Sequence, residues 1–105
     1  MAEHLRIASI VGSTFYPGAG NLIGRLRNGS PLILRRQPEN KYDKNAIAIN
    51  WGNRIIGHVP RGLAAELAPL MDAGTEIKVM KHGQAWGVVR LDWRTWETAN
   101  AESNT

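Results

Sequence analysis

The residues from Arg35 to Ile47 (Arg35-Arg36-Gln37-Pro38-Glu39-Asn40-Lys41-Tyr42-Asp43-Lys44-Asn45-Ala46-Ile47) bring four basic side chains, a tyrosine and an aspartate into one short polar stretch. Arg36, Lys41 and Lys44 can neutralise phosphates. Tyr42 can stack on a base or donate its hydroxyl. Asp43 is the odd member, because a carboxylate repels phosphate. In an anion-binding loop it must accept from a donor, which can be a sugar hydroxyl, a base N–H or its own backbone. Asp and Asn also close turns onto backbone amides. Asn45 fits that structural role, and Asp43 fits either.

A second segment is Thr14-Phe15-Tyr16-Pro17-Gly18. Two adjacent aromatic residues at the end of a strand, beside Pro and Gly, cannot both point inward. At least one ring is expected on a rigid, exposed turn. Exposed rings on the rim of a small barrel form a stacking platform for unpaired bases, whereas rings folded over the barrel mouth would serve only as a lid.

Catalytic signatures are sparse. Gly18-Ala19-Gly20 with Gly24 is one residue off the dinucleotide fingerprint and lacks a parallel β-α-β setting. There is no Walker lysine motif and no Gly-x-Ser-x-Gly elbow. His4, His58 and His82 are isolated from one another, and the chain has no cysteine. Disulfides, thiolate zinc sites and cysteine nucleophiles are therefore excluded. The expectation is a protein that is not an enzyme and uses neither cofactor nor metal.

The elements that must position these segments follow from periodicity. Leu5 to Thr14 is β-rich and stops at Gly12-Ser13-Thr14. Asn21 to Asn28 allows one or two helical turns. Pro31 to Gln37 reads as a strand, followed by the polar loop. Ala46 to Trp51 alternates, Gly52-Asn53 is a two-residue hairpin turn, and Arg54 to Val59 returns. Pro60 opens a helix whose apolar stripe is Leu63, Leu67, Leu70 and Met71. Pro69 is expected to bend it or end it early, with Gly74 beyond. Thr75 to Lys81 and Trp86 to Trp93 read as two more strands. The sum is a mainly β (α+β) domain: a small, OB-like, partly open β-barrel of five to six strands, with one main helix and a short second one. One domain is expected over residues 1–96, with a polar, frayed tail over 97–105.

Arg36-Gln37-Pro38-Glu39-Asn40-Lys41-Tyr42-Asp43-Lys44-Asn45-Ala46-Ile47, then Gly57-His58-Val59-Pro60-Arg61 and Leu63-Ala64-Ala65-Glu66-Leu67-Ala68, resemble the HIRAN domain. The resemblance runs from about Ile10 to Trp86. It implies a modified OB-like barrel that binds single-stranded DNA at a 3′-hydroxyl end. By position, Phe15 corresponds to the stacking aromatic of the first loop, with Tyr16 beside it. Asn40, Tyr42 and Asp43 correspond to the pocket for the terminal nucleotide, His58 and Arg61 to a phosphate-binding pair, and Trp86 to a late aromatic. In that setting Asp43 accepts from a terminal 3′-OH and repels an internal phosphodiester. The chain departs from the pattern at Lys41, where Pro is usual, at Phe15, where Tyr would add a hydroxyl, and at Thr14, where Arg would add a phosphate contact. His58 carries a second reading. A regular hairpin at Gly52-Asn53 sets it opposite Ile47, on the face of Ile49 and Ile56, as a rim or core histidine.

Composition agrees with an anionic partner. Thirteen Lys and Arg against nine Asp and Glu give +4, and nine of the thirteen are Arg, whose planar fork suits phosphate. That charge is also ordinary for a soluble small domain. No apolar run approaches the roughly 20 residues of a membrane helix, and the N-terminus has no secretory pattern. The expected partner is single-stranded DNA, with a helicase, nuclease or translocase beside it, no membrane, and a cytoplasmic, nucleoid-associated location. The rival reading is a protein-interaction adaptor docking through Trp93, Trp96 and the basic face.

Overall fold

A computed structural model describes residues 1–95; the expected polar tail over 97–105, and Trp96, lie outside the described residues. Six strands, β1 (Ala2–Ser9), β2 (Pro31–Arg36), β3 (Ile47–Trp51), β4 (Arg54–His58), β5 (Ile77–Lys81) and β6 (Val88–Thr95), form one antiparallel sheet in the order β1-β6-β5-β2-β3-β4. Two α-helices, α1 (Ala19–Arg25) and α2 (Arg61–Asp72), and a 3₁₀ turn at Ser13–Phe15 complete the fold.

The sheet closes on itself beyond the end of β1. Val11 and His58 exchange backbone hydrogen bonds of 3.0 and 2.8 Å, so the first strand's continuation meets the opposite edge strand β4. Closure hides part of both edges and makes the partly open barrel that the strand pattern predicts. It also explains Gly57. A Cβ there would collide with the Ile10 side chain and lie 2.8 Å from the Val11 carbonyl oxygen. Only glycine lets the two backbones approach this closely.

The core is built from Ile10, Ile23, Ile47, Ile49, Ile56, Leu67, Val89 and Leu91, with Ala19, Ala64 and Ala68 letting the helices sit close. α2 is tied to the sheet at both sides. Arg6 of β1 reaches Glu66 at 2.7 Å, and Arg36 of β2 grips Asp72 with bonds of 2.9 and 3.2 Å. These ties fix the helix whose first residue is Arg61.

Several expectations need correction. β1 begins at Ala2 rather than Leu5 because its first residues pair with the end of β6. His4 stacks on Trp93 with ring centroids 5.2 Å apart. The strand ends at Ser9, and the chain turns at Gly12, whose φ is +73°. Pro69 does not end the helix, which runs on to Asp72. Pro69 and Ala65, whose carbonyl loses its donor, both lie on the exposed side, so solvent can satisfy that carbonyl. The β3–β4 register shifts by one residue between Ile49 and Asn50, so Ile49 faces Gly57 and His58 faces Ala48, not Ile47. A bulge of this kind shifts the pairing partner of each residue beyond it by one. Trp93, expected as an adaptor anchor, is 4% exposed and part of the core.

Candidate functional site

Barrel closure builds a groove. The Val11–His58 pair holds the 3₁₀ turn against the end of β4. Bonds from Gln37 N–H to the Ala46 carbonyl (2.9 Å) and from Val59 N–H to the Ile47 carbonyl (3.0 Å) bring the polar loop alongside. The space between is about 550 Å³ and is lined by Val11, Gly12, Phe15, Tyr16, Asn40, Tyr42, Asp43, Ala46, Ile47, His58, Val59 and Arg61. Seven of the residues singled out in the sequence (Phe15, Tyr16, Asn40, Tyr42, Asp43, His58 and Arg61) line this one groove.

The two adjacent aromatics part company. Phe15 is 81% exposed. Tyr16 leans back onto the core, its ring 5.8 Å from that of His58. Across the groove Tyr42 is 79% exposed. The two rings therefore stand exposed on opposite rims of one groove.

Asn40 organises the polar loop. Its Oδ1 accepts from the N–H groups of Tyr42 (2.9 Å) and Asp43 (3.1 Å), and its Nδ2 donates to Gln37 Oε1 at 3.3 Å. Asp43 divides its carboxylate. Oδ1 accepts from the Asn45 N–H at 2.9 Å, closing an Asx turn. Oδ2 faces the groove side, 3.7 Å from Arg61 Nε. Both readings of Asp43 therefore have an oxygen to use. Arg61 keeps most of its side chain in solvent, so its guanidinium is open to an anion.

His58 is half-buried, and its Nε2 lies 2.8 Å from Gln37 Oε1. That oxygen only accepts, so neutral His58 carries its proton on Nε2 and presents a bare Nδ1 toward Gly12. Burial pushes its pKa below the ordinary imidazole value. Gln37 was not among the residues the sequence pointed to. It joins His58 to Asn40, and no local signal reveals that a side chain at the end of β2 spans both.

The remaining basic residues scatter. Lys41 sits 5.7 Å from the Tyr42 ring, and Lys44 is exposed on the loop beyond the groove. Arg36 stands apart: besides Asp72 it donates to the Ala46 carbonyl at 2.8 Å, so its fork fastens the loop to β2 and α2. The same guanidinium holds the Asp72 carboxyl below the usual carboxylate range. Trp86 lies outside the groove. It rests along α1 over Gly24 and donates from Nε1 to the Gly20 carbonyl at 3.1 Å, half its surface in solvent.

A larger hollow of about 760 Å³ lies between the β1-β6-β5 end of the sheet and the turn after α2. Its charges face one another, Arg90 with Asp92 and Arg94 with Glu3, and leave little net field for a ligand. Among the described residues no three His, Cys, Asp or Glu side chains come together as metal ligands. No helix among them is long and apolar enough to cross a membrane.

Comparison with known proteins converges on one family. The model of the HIRAN domain matches residues 6–90. The helicase-like transcription factor of mouse is 42% identical over 64 residues, 60% of this chain but 6% of that protein. The crystal structure of the HIRAN domain of human HLTF superposes with a TM-score of 0.73 at 27% identity, covering 93% of this chain and 81% of that one. The NMR structure of the HLTF HIRAN domain in its DNA-bound conformation gives 0.60 at 27% identity, over 99% and 84%.

Proposed function

The chain belongs to the HIRAN domain family, and from that membership and the groove we propose that it is a non-catalytic module that binds single-stranded DNA by its 3′-hydroxyl end. The observation that carries the reading is the composition of the groove: two exposed rings, a cation and one carboxylate oxygen around a single hollow. A solved relative is described in a DNA-bound conformation, which supports DNA as the polymer.

The roles follow from the chemistry. Phe15 and Tyr42 stack the last bases. Stacking needs a face, not a pattern of donors, so it tolerates any sequence. Arg61 neutralises the terminal phosphodiester, and Lys41 and Lys44 add field along the rim. Asp43 accepts a hydrogen bond from the terminal 3′-OH through the oxygen that the Asx turn leaves free. Asn40, Gln37 and Arg36 hold the loop in place without touching the strand. The chain spans about 6% of the mouse relative's length. We place this module beside a helicase, nuclease or translocase in DNA repair or replication-fork processing, where free 3′ ends arise.

Titration with two oligonucleotides differing only at the 3′ end, hydroxyl against phosphate, tests the proposal. An ionised carboxylate only accepts, so a 3′-phosphate brings it like charge and no donor. The wild-type protein is expected to prefer the hydroxyl end by about 1.5–3 kcal/mol, the range for a hydrogen bond to a charged group. Asp43→Asn retains an oxygen for the Asn45 N–H, so the turn survives while the charge goes. It is expected to narrow the difference between the two ends. If both oligonucleotides lose affinity together, or the wild type treats them alike, end recognition is wrong and Asp43 only closes a turn.

A further inference from the structure

The acidic residues of this chain are unevenly placed. None occurs from His4 to Pro38, from Lys44 to Ala65 or from Ile77 to Leu91. Those stretches supply the 3₁₀ turn and α1, the β3–β4 hairpin, and the loop before β6, and they touch one another. Arg54 Nη2 donates to the Pro17 carbonyl at 3.1 Å, and Trp86 Nε1 donates to the Gly20 carbonyl.

The arginines differ in their partners. Arg6, Arg36, Arg61, Arg90 and Arg94 each have a carboxylate within 3.7 Å. Among the described residues, Arg25, Arg27, Arg35 and Arg54 have none. Beside Arg54, across the hairpin, Trp51 is 46% exposed. It lies at the tip of a hairpin in which Ile47, Ile49 and Ile56 are fully buried and Ile55 is half-buried. The tip is continuous with the groove, because Pro17 follows Tyr16, a lining residue.

Taking the groove as the seat of a strand end, as proposed above, we infer that Trp51 and Arg54 form a second contact for the same strand, engaging nucleotides 5′ of the seated end. A hollow of about 550 Å³ holds only the terminus, so the rest of the strand must leave across one rim. On the polar-loop side it would meet Glu39 and Asp43 interleaved with Lys41 and Lys44, with Asp72 behind them. On the Pro17 side no carboxylate occurs in the flanking stretches. A polyanion follows the rim without like charge. Arg54 offers a phosphate contact there, and Trp51 offers a stacking face with a large apolar surface.

Calorimetric titration with 3′-hydroxyl oligothymidylates of about three and about twelve nucleotides separates the two contacts. The longer strand is expected to bind wild type about tenfold more tightly than the shorter, as one added stacking contact supplies. Trp51→Ala is expected to bring the long strand down to the level of the short one and to leave the short one unchanged. Arg54→Gln should reduce the slope of log K against log salt for the long strand by about 0.7, one phosphate contact on a single strand. Because Arg54 also braces Pro17, Trp51→Ala is the deciding variant, with its thermal midpoint measured alongside. A long strand that binds no better than a short one, or a length advantage that survives Trp51→Ala, overturns the second contact and leaves the groove standing. Absence of binding by either oligonucleotide overturns the groove reading and this one together.

Discussion

The β5–β6 and β2–β3 loops of this domain use charge in opposite ways. The loop between β5 and β6 is organised by Lys81, which is 2% exposed. Its Nζ donates to the carbonyls of His82 (3.1 Å), Gly83 (2.9 Å) and Ala85 (2.7 Å). The loop between β2 and β3 is organised by a neutral amide, Asn40, whose oxygen takes two backbone N–H groups. The first loop consumes its cation internally. The second delegates folding to Asn40 and Gln37, and leaves Lys41, Lys44 and one oxygen of Asp43 for use outside the loop, with Arg61 of α2 beside them. A basic residue is thus evidence of binding only after its hydrogen-bond partners are counted. By that measure Lys81 and Arg36 are structural, and Arg61 is available.

The sharpest way to break this contrast is to remove the buried cation. Lys81→Met keeps most of the apolar stem but strips three carbonyls of their donor. Hydrogen bonds to a charged group are worth about 1.5–3 kcal/mol each, partly offset because the ammonium no longer needs desolvating. The expected net loss is about 3 kcal/mol in denaturant unfolding, with DNA affinity of the folded fraction unchanged. A variant as stable as wild type would mean that the loop is held by its backbone alone.

The mirror-image test removes rings from the groove. Phe15→Ala and Tyr42→Ala are expected to cost about 1–3 kcal/mol of strand binding each. They should change unfolding free energy by less than about 0.5 kcal/mol, as exposed positions do. If either variant unfolds readily while its folded fraction binds normally, that ring belongs to the core, and the two loops are not opposites after all.

What the sequence revealed and what it hid divide by range. The number and order of the strands, the Gly52-Asn53 turn, the presence of the main helix and the grouping of Asn40, Tyr42 and Asp43 in one loop are local patterns, and the structure has them, with strand ends displaced. Most of the failures are long-range. Arg36 looks like a phosphate ligand until Asp72, 36 residues away, takes its fork. Lys81 ends an apolar strand like any surface lysine, and nothing nearby announces the three carbonyls that trap it. The bulge that moves His58 from Ile47 to Ala48 answers to Gly57 meeting Ile10, a contact between opposite ends of the barrel. Pro69 misleads for a different reason: its cost depends on which side of the helix faces water. Phe15 and Tyr16 show the reverse case, where local chemistry requires one ring outside but only closure against His58 decides which.

The smallest expected effect concerns His58, which stands where the organising network meets the groove. Gln37 Oε1 fixes the proton of the neutral ring on Nε2, so Nδ1 holds a lone pair and repels an approaching phosphate. Contact with an anion there requires a second proton. Burial disfavours that proton in the free protein, holding the pKa below the ordinary imidazole value. A phosphate beside Nδ1 raises it again, so the complex binds more protons than the free protein. Affinity is then expected to rise as pH falls through the ordinary imidazole range and below it, by less than about tenfold per pH unit, the limit for one proton. Stability of the free protein moves the other way. With the folded pKa depressed, the contribution of His58 is complete above the unfolded value of about 6.5 and is lost as pH falls through the folded one. His58→Gln retains a donor for Gln37 and cannot titrate, so its affinity should be flat with pH where wild type climbs. Measured as oligonucleotide affinity between pH 5.5 and 8, a wild-type profile as flat as that of the variant would show that His58 only braces Gln37 and that Arg61 holds the phosphate alone.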